Sequence, residues 1–358
     1  MGRESTIWSA PALLIRAGMA ESQRPDDGAP ASVIAGPCSV VLSTPAAGTR
    51  YRRPMQTPPT LEAARSVLSV RPMGALTLQQ RHLSLALRGA FAGLDVVQPV
   101  VADLSVGLFL DLPGLDAAVS PTDLARWGVS LPQALNAAVA AGFGRPVPEP
   151  ERVESVRLFR DVRFAGTALL RPELIRALPI DGNPVVLIPT IGDLLVGSAD
   201  DPAGMSFMVR MAERIVESGN LPVSIQPLTL RGLEWTPFSW PAATQPFADA
   251  LRRRWDTLQY AAQQPLLREH YERTRQDYFV PELRLFAKDG QSVTLTTLTQ
   301  GVPTVLPLAD AVNLVRDGGQ VARVPMSALL GIPGLIVPVP NTAPARVYAT
   351  RFPLELFG

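Results

Sequence analysis

Side chains that commonly do chemistry are scarce in this 358-residue chain: two histidines, His82 and His270, one cysteine, Cys38, and one lysine, Lys288. Imidazole, thiol and amine groups carry most nucleophilic, proton-shuttling and zinc-binding work. The histidines stand far apart, and neither an HExxH run nor a Cys/His spacing exists, so no metal site and no cofactor is expected. Cys38 has no identifiable base beside it to lower its pKa. Glu269-His270-Tyr271 has the make-up of a general base oriented by a carboxylate, and equally of a polar stretch on a long helix.

The densest polar feature is acidic: Asp193, Asp200 and Asp201, with Ser198 among them. Carboxylates at a strand end and a helix start are able to hold a hard cation or to act as acid and base. Capping of the helix explains Asp200 and Asp201 without further assumption and is the preferred reading. Gly192 and Gly197-Ser198 have the spacing of a phosphate-binding loop but lack its lysine. Trp235 and Trp240, in GLEWTPFSW, are candidates for an aromatic interaction patch, or for rings packed over a sheet edge. Arg252-Arg253-Arg254 lacks interleaved aromatics and reads as a solvated helix face, not a nucleic-acid contact.

The elements that must position these residues follow from periodicity and punctuation. Residues 1–58 are rich in Pro, Gly, Ala, Ser and Thr without a sustained period, and are expected to be a disordered leader. LEAARSVLSV, from Leu61, predicts a short helix, and the stretch from Thr77 a second, amphipathic one. Asp103 to Leu112 alternates as a half-buried strand. Ser120-Pro-Thr-Asp123 and Ser130-Leu-Pro-Gln133 have capping-box form, and Gly128 and Gly142 stand where left-handed helix ends are expected.

Strands are expected over 156–164, 184–192, 194–197 and 221–230, with helices at Pro172–Leu178 and after Asp201. This alternation predicts an α+β domain over 59–240, a mixed sheet with covering helices. Residues 241–358 are expected to form a C-terminal, β-rich α+β domain. It would open with a long helix, Asp249 to about Arg275, placing Trp255, Leu258, Ala262, Leu266 and His270 near one face and kinked at Pro265. A hairpin about Lys288-Asp289-Gly290, a helix over 306–315 and two late strands complete it.

Between residues 104 and 240 the pieces LDLPGLDAAVSPTDLARWGVSLPQALNAAV, VRLFRDVRFAGTALLRPELI, PVVLIPTIGDLLVGSADDPAGMSFMVRMA and NLPVSIQPLTLRGLEWTPF follow an order that resembles a bacterial family, domain of unknown function 1444. The resemblance implies a strand followed by a helix pair, then a strand–helix unit and a strand-acid-helix-strand unit. It implies no catalytic residue.

The net charge of +1 provides no global field for nucleic acid or acidic lipid. No segment approaches the roughly 18 apolar residues of a membrane span. The single cysteine fits a reducing cytoplasm. The expected function is therefore that of a non-enzymatic bacterial binding or scaffold protein with a protein partner, or a homo-oligomer. The alternative is a carboxylate-dependent hydrolase, with or without the help of a divalent cation, whose acidic oxygens converge in one cleft.

Overall fold

Alternation of Val106, Leu108 and Leu110 in sequence becomes, in the computed structural model, a strand with these three side chains buried. The structure describes residues 57–87, 96–113, 115–142, 146–288 and 291–357. The expectations for residues 1–56, Cys38 included, and for the Asp289-Gly290 turn lie outside the described residues.

The first layer comprises α1 (Leu61–Ala64), β1 (Leu68–Gly74), α2 (Ala75–Leu87), β2 (Val97–Val101), β3 (Leu104–Leu112), β4 (Leu115–Ala118), α3 (Pro121–Trp127) and α4 (Leu131–Ala141). Strand β3 is its spine: β1 runs antiparallel along one side, and β2 and β4 share the other. Only Leu61–Ala64 of the predicted LEAARSVLSV helix is helical. From Leu68 the chain is strand β1, buried along its whole length, because pairing with β3 and burial on both faces outweigh local helix propensity. Both capping boxes form, and Gly128 is left-handed at φ 68°. Gly142 ends α4 at φ −85°, in ordinary helical conformation, against expectation.

The second layer holds β5 (Glu151–Val153), β6 (Val156–Arg160), α5 (Val162–Leu170), α6 (Pro172–Arg176), β7 (Pro184–Thr190), β8 (Asp193–Ser198), α7 (Pro202–Val216), β9 (Leu228–Arg231) and β10 (Glu234–Pro237). Its six strands form an antiparallel sheet in the order β10-β9-β7-β8-β6-β5. The strand expected over 156–164 stops at Arg160, because the Asp161 carboxylate accepts from the Arg163 and Phe164 amides and starts α5. The strand expected over 221–230 is confined to Leu228–Arg231. One sheet face, with Phe159, Val186 and Val196, shares a core with the first layer. The other, with Leu158, Val185 and Leu195, packs against α7 and the next helix, α8 (Gln245–Thr274).

Helix α8 runs for 30 residues, and Pro265 lies on its exposed side, where the missing N–H deprives no buried carbonyl. Its buried stripe includes Leu251, Trp255, Gln259, Gln263, Leu267 and Tyr271. Of the face expected from sequence only Trp255 is fully buried, and Ala262 is exposed. The glutamines misled the apolar reading because each finds a polar partner inside the fold. Gln263 Nε2 donates to the Pro344 carbonyl at 2.8 Å, and Gln264 Nε2 donates to that of Val280 at 2.8 Å.

Beyond α8 come β11 (Arg284–Lys288), β12 (Gln291–Thr299), β13 (Val305–Pro307), β14 (Ala311–Val315), β15 (Val321–Pro325), α9 (Met326–Leu330), β16 (Ile336–Val339) and β17 (Arg346–Ala349). Two sheets form, β11-β12-β14-β15 and β13-β17-β16. The β12–β14 pair is parallel, so the first of these is the mixed sheet, and the whole chain is α+β. The helix expected over 306–315 is instead β13, a loop and β14. Alternate burial of Val312 and Leu314 against the second sheet sets that outcome. No helix among the described residues is long and apolar enough to cross a membrane.

Candidate functional site

Strand β8 separates the acidic residues that its sequence brings close. Asp193 begins the strand and Ser198 ends it, about 16 Å apart at roughly 3.3 Å per residue. Asp193 is buried and accepts a hydrogen bond from the Thr190 hydroxyl. Asp201 is the N-cap of α7: its Oδ1 accepts from the Gly204 amide at 2.9 Å. That bond, with a second from Ser155, holds the Asp201 carboxyl below its ordinary pKa. Ser198 donates to the Asp181 carbonyl and accepts from the Asp200 amide at 3.1 Å. The expected four-residue constellation therefore does not assemble.

Ser198, Asp200 and Asp201 do share an open cleft of about 410 Å³, also lined by Arg152, Arg157 and Asp181. It mixes both charge signs. Among the described residues no three His, Cys, Asp or Glu side chains group as a metal site.

The two tryptophans also part company. Trp235 packs at the edge of the core between the first two layers, and its Nε1 donates to the Leu169 carbonyl at 2.9 Å. Trp240 packs on the opposite sheet face, edge-on to Phe238 at 6.2 Å. The expected single aromatic patch is corrected to two half-buried rings, each joined to a different core. His270 lies half-buried beside Tyr271, with ring centroids 5.5 Å apart. The arginine run ties elements together. Arg253 Nε lies 2.9 Å from Asp310 Oδ2 on the C-terminal sheet, and Arg254 Nε lies 2.8 Å from Glu217 beyond α7.

Sequence reasoning missed three buried polar centres, because isolated arginines and aspartates carry no pattern. Arg71, on β1, pairs with Asp111 and with Asp116 at 3.0 Å, and Arg163 Nε lies 2.5 Å from Asp111. Burial opposes the Arg71 charge, but bonds to Asp116 and Asp111 hold its pKa above the ordinary value. Asp103 accepts from Ser224 Oγ at 2.7 and 2.9 Å, while burial pushes its pKa up. Arg346 is 1 % exposed. It donates to Gln263 Oε1 at 2.6 Å and to the Val305 and Pro281 carbonyls at 3.1 and 3.3 Å. Its guanidinium stands 5.0 Å from the Tyr260 ring centroid, and burial lowers its pKa to about 10. These centres fasten strands and helices to one another.

The remaining surface of note is the outer face of the β11-β12-β14-β15 sheet. Leu298, Val312 and Leu314 point inward, into the core shared with β17 and α9. Side chains alternate along a strand, so their sequence neighbours point outward. Register then aligns Phe286 with Val293, Leu295 with Ala311, and Thr299 with Val315 and Val321. On this face Phe286 is 50 %, Val293 37 % and Val321 62 % exposed, and Leu295 between them is buried. The sequence held the signal: both strands of the β11–β12 hairpin carry apolar residues at positions that pairing puts on the solvent side.

Comparison of the chain with family models, with curated proteins and with solved structures finds no match.

Proposed function

We propose that this chain is a non-enzymatic binding protein that engages a protein partner through the outer face of the β11-β12-β14-β15 sheet. The observation that carries the reading is the exposure of Phe286, Val293 and Val321 on one face of a sheet whose other face is already packed. Exposed apolar side chains on a sheet face that nothing among the described residues covers, Phe286 beside Val293 at one end and Val321 at the other, support an interaction site there. Of the acidic residues that would serve a hydrolase, Asp193 stands apart at the far end of β8 and Asp201 is used as a cap. A cytoplasmic setting belongs to the same proposal, supported by the single cysteine. Kinship with domain of unknown function 1444 is proposed on the order of elements over 104–240 and adds no activity.

Site-directed photocrosslinking in the native host tests the reading. A photoreactive residue at position 286 or 321 is expected to give a discrete protein adduct. The same group at exposed Arg214 on α7 is expected to give none. Equal labelling from all three positions refutes it, as does demonstrated turnover of a substrate by the folded chain.

A further inference from the structure

One buried cation in the C-terminal half keeps an unpaired donor. Arg346, on β17 and 1 % exposed, uses Nε on Gln263 Oε1 and Nη1 on the Val305 and Pro281 carbonyls. Its Nη2 is buried without a hydrogen-bond acceptor among the described residues. The three acceptors that it does hold are neutral, and no carboxylate among the described residues acts on its charge. Burial lowers its pKa only to about 10, so the charge persists at neutral pH. A cation buried this deeply is ordinarily matched by an anion, and a buried N–H by an acceptor.

The neighbours sharpen the imbalance. Arg268, on α8, donates from Nη2 to the Val280 carbonyl at 3.2 Å, beside the Pro281 carbonyl that Arg346 holds at 3.3 Å. Two guanidiniums thus grip consecutive carbonyls, and the charge of Arg268 opposes that of Arg346. The Tyr260 oxygen is already engaged: it donates to the Ala345 carbonyl and accepts from the Leu308 amide at 3.1 Å. The Tyr260 ring stands over the Arg346 guanidinium at 5.0 Å. That leaves the guanidinium plane, along which the Nη2 hydrogens point, for a ligand. Near-complete burial admits only a small ligand that sheds its water, and among small anions the weakly hydrated halides do so at least cost.

We infer that Arg346 Nη2 binds a chloride-class anion, a monovalent halide buried between the Arg346 and Arg268 guanidiniums. The anion is a structural counter-ion that joins β17 to α8, and it stands independently of the binding role proposed above.

The test follows thermal unfolding of the full chain at fixed ionic strength as chloride replaces gluconate. An anion bound only by the folded chain raises the melting temperature, by about 2–4 °C for an about fiftyfold rise in chloride across its dissociation constant. Bromide is expected to match chloride, and the strongly hydrated fluoride to fall short. Gln263→Glu sets a carboxylate beside Arg346 Nε and is expected to abolish the chloride response. Should that variant misfold, Arg268→Gln, at an exposed position of α8, is expected to halve the response or more. Bromide-soaked crystals are expected to show an anomalous peak against Nη2. Equal melting temperatures in chloride, fluoride and gluconate overturn the inference and assign Nη2 to a water molecule. A chloride response left undiminished in either folded variant, or a bromide peak only elsewhere, overturns it as well.

Discussion

Replacing Asp201 separates a helix cap from a working carboxylate. Its Oδ1 holds the Gly204 amide at 2.9 Å, one of the free N–H groups of α7, whose other face buries Met205, Met208, Val209 and Ala212. Loss of such a cap costs about 1 kcal/mol, and asparagine caps nearly as well as aspartate. Asp201→Ala is therefore expected to lower stability by about 1 kcal/mol, a shift of about 2 °C in a chain of this size, whereas Asp201→Asn stays within a few tenths of a kcal/mol. Asp200→Ala, at an exposed carboxylate, is expected to change stability by less than about 0.5 kcal/mol. The pH dependence has a defined sign. Because the folded Asp201 pKa is depressed, its contribution is present above the ordinary aspartate pKa and fades as pH falls through the lower, folded value. Urea unfolding of the three variants at neutral and acid pH measures all of this. An Asp201→Ala chain as stable as the parent, or an Asp201→Asn chain as damaged as the alanine variant, refutes the capping argument.

Three further outcomes follow from the same geometry. Gly166→Ala is expected to destabilise by about 1–3 kcal/mol, since a Cβ there falls 2.5 Å from the Val70 carbonyl carbon and 2.8 Å from Arg71 Cα, and backbone cannot step aside; thermal unfolding reads it. Arg346→Met is expected to cost about 3 kcal/mol in chemical unfolding by stranding Gln263 Oε1 and two carbonyls, and an unchanged midpoint would mean that relief of a buried cation balances their loss. Asp103→Asn is expected to equal or exceed the parent in stability at neutral pH. With the folded pKa raised, the native carboxyl binds its proton more readily, so the parent gains as pH falls from that raised value toward the ordinary one and the difference closes; a gap that widens on acidification contradicts the reading.

Local chemistry was the legible part of the sequence. Ser120 with Asp123, Ser130 with Gln133 and Asp201 before Pro202 each announce a helix start, because the cap needs only residues within one turn of chain. Alternation likewise located β3, and turn residues located the β11–β12 hairpin. Errors arose where partners distant in sequence decide. Leu68–Gly74 becomes a strand by pairing with β3, and Val312 and Leu314 by facing β17. The buried glutamines of α8 look solvent-facing until the carbonyls of Val280 and Pro344 arrive from other elements. For the site, residue type located the acids and the tryptophans, but strand length and sheet sidedness scattered them. The exposed face was written in the alternation of the late strands, yet it is visible only once register says which strands lie together.

The placement of α8 bears on how this polypeptide is divided. Leu251 and Trp255 complete the core beneath β8 and α7, while Gln263, Gln264 and Tyr260 are bonded to the loops that lead into the strands that follow. Scission at residue 240 would strip Met205, Met208 and Val209 of that cover on one fragment and leave the other with a naked apolar stripe. Truncations meant to isolate either half should retain this helix in both, and a protease that nicks the 241–244 stretch should leave the pieces clasped until denaturant parts them.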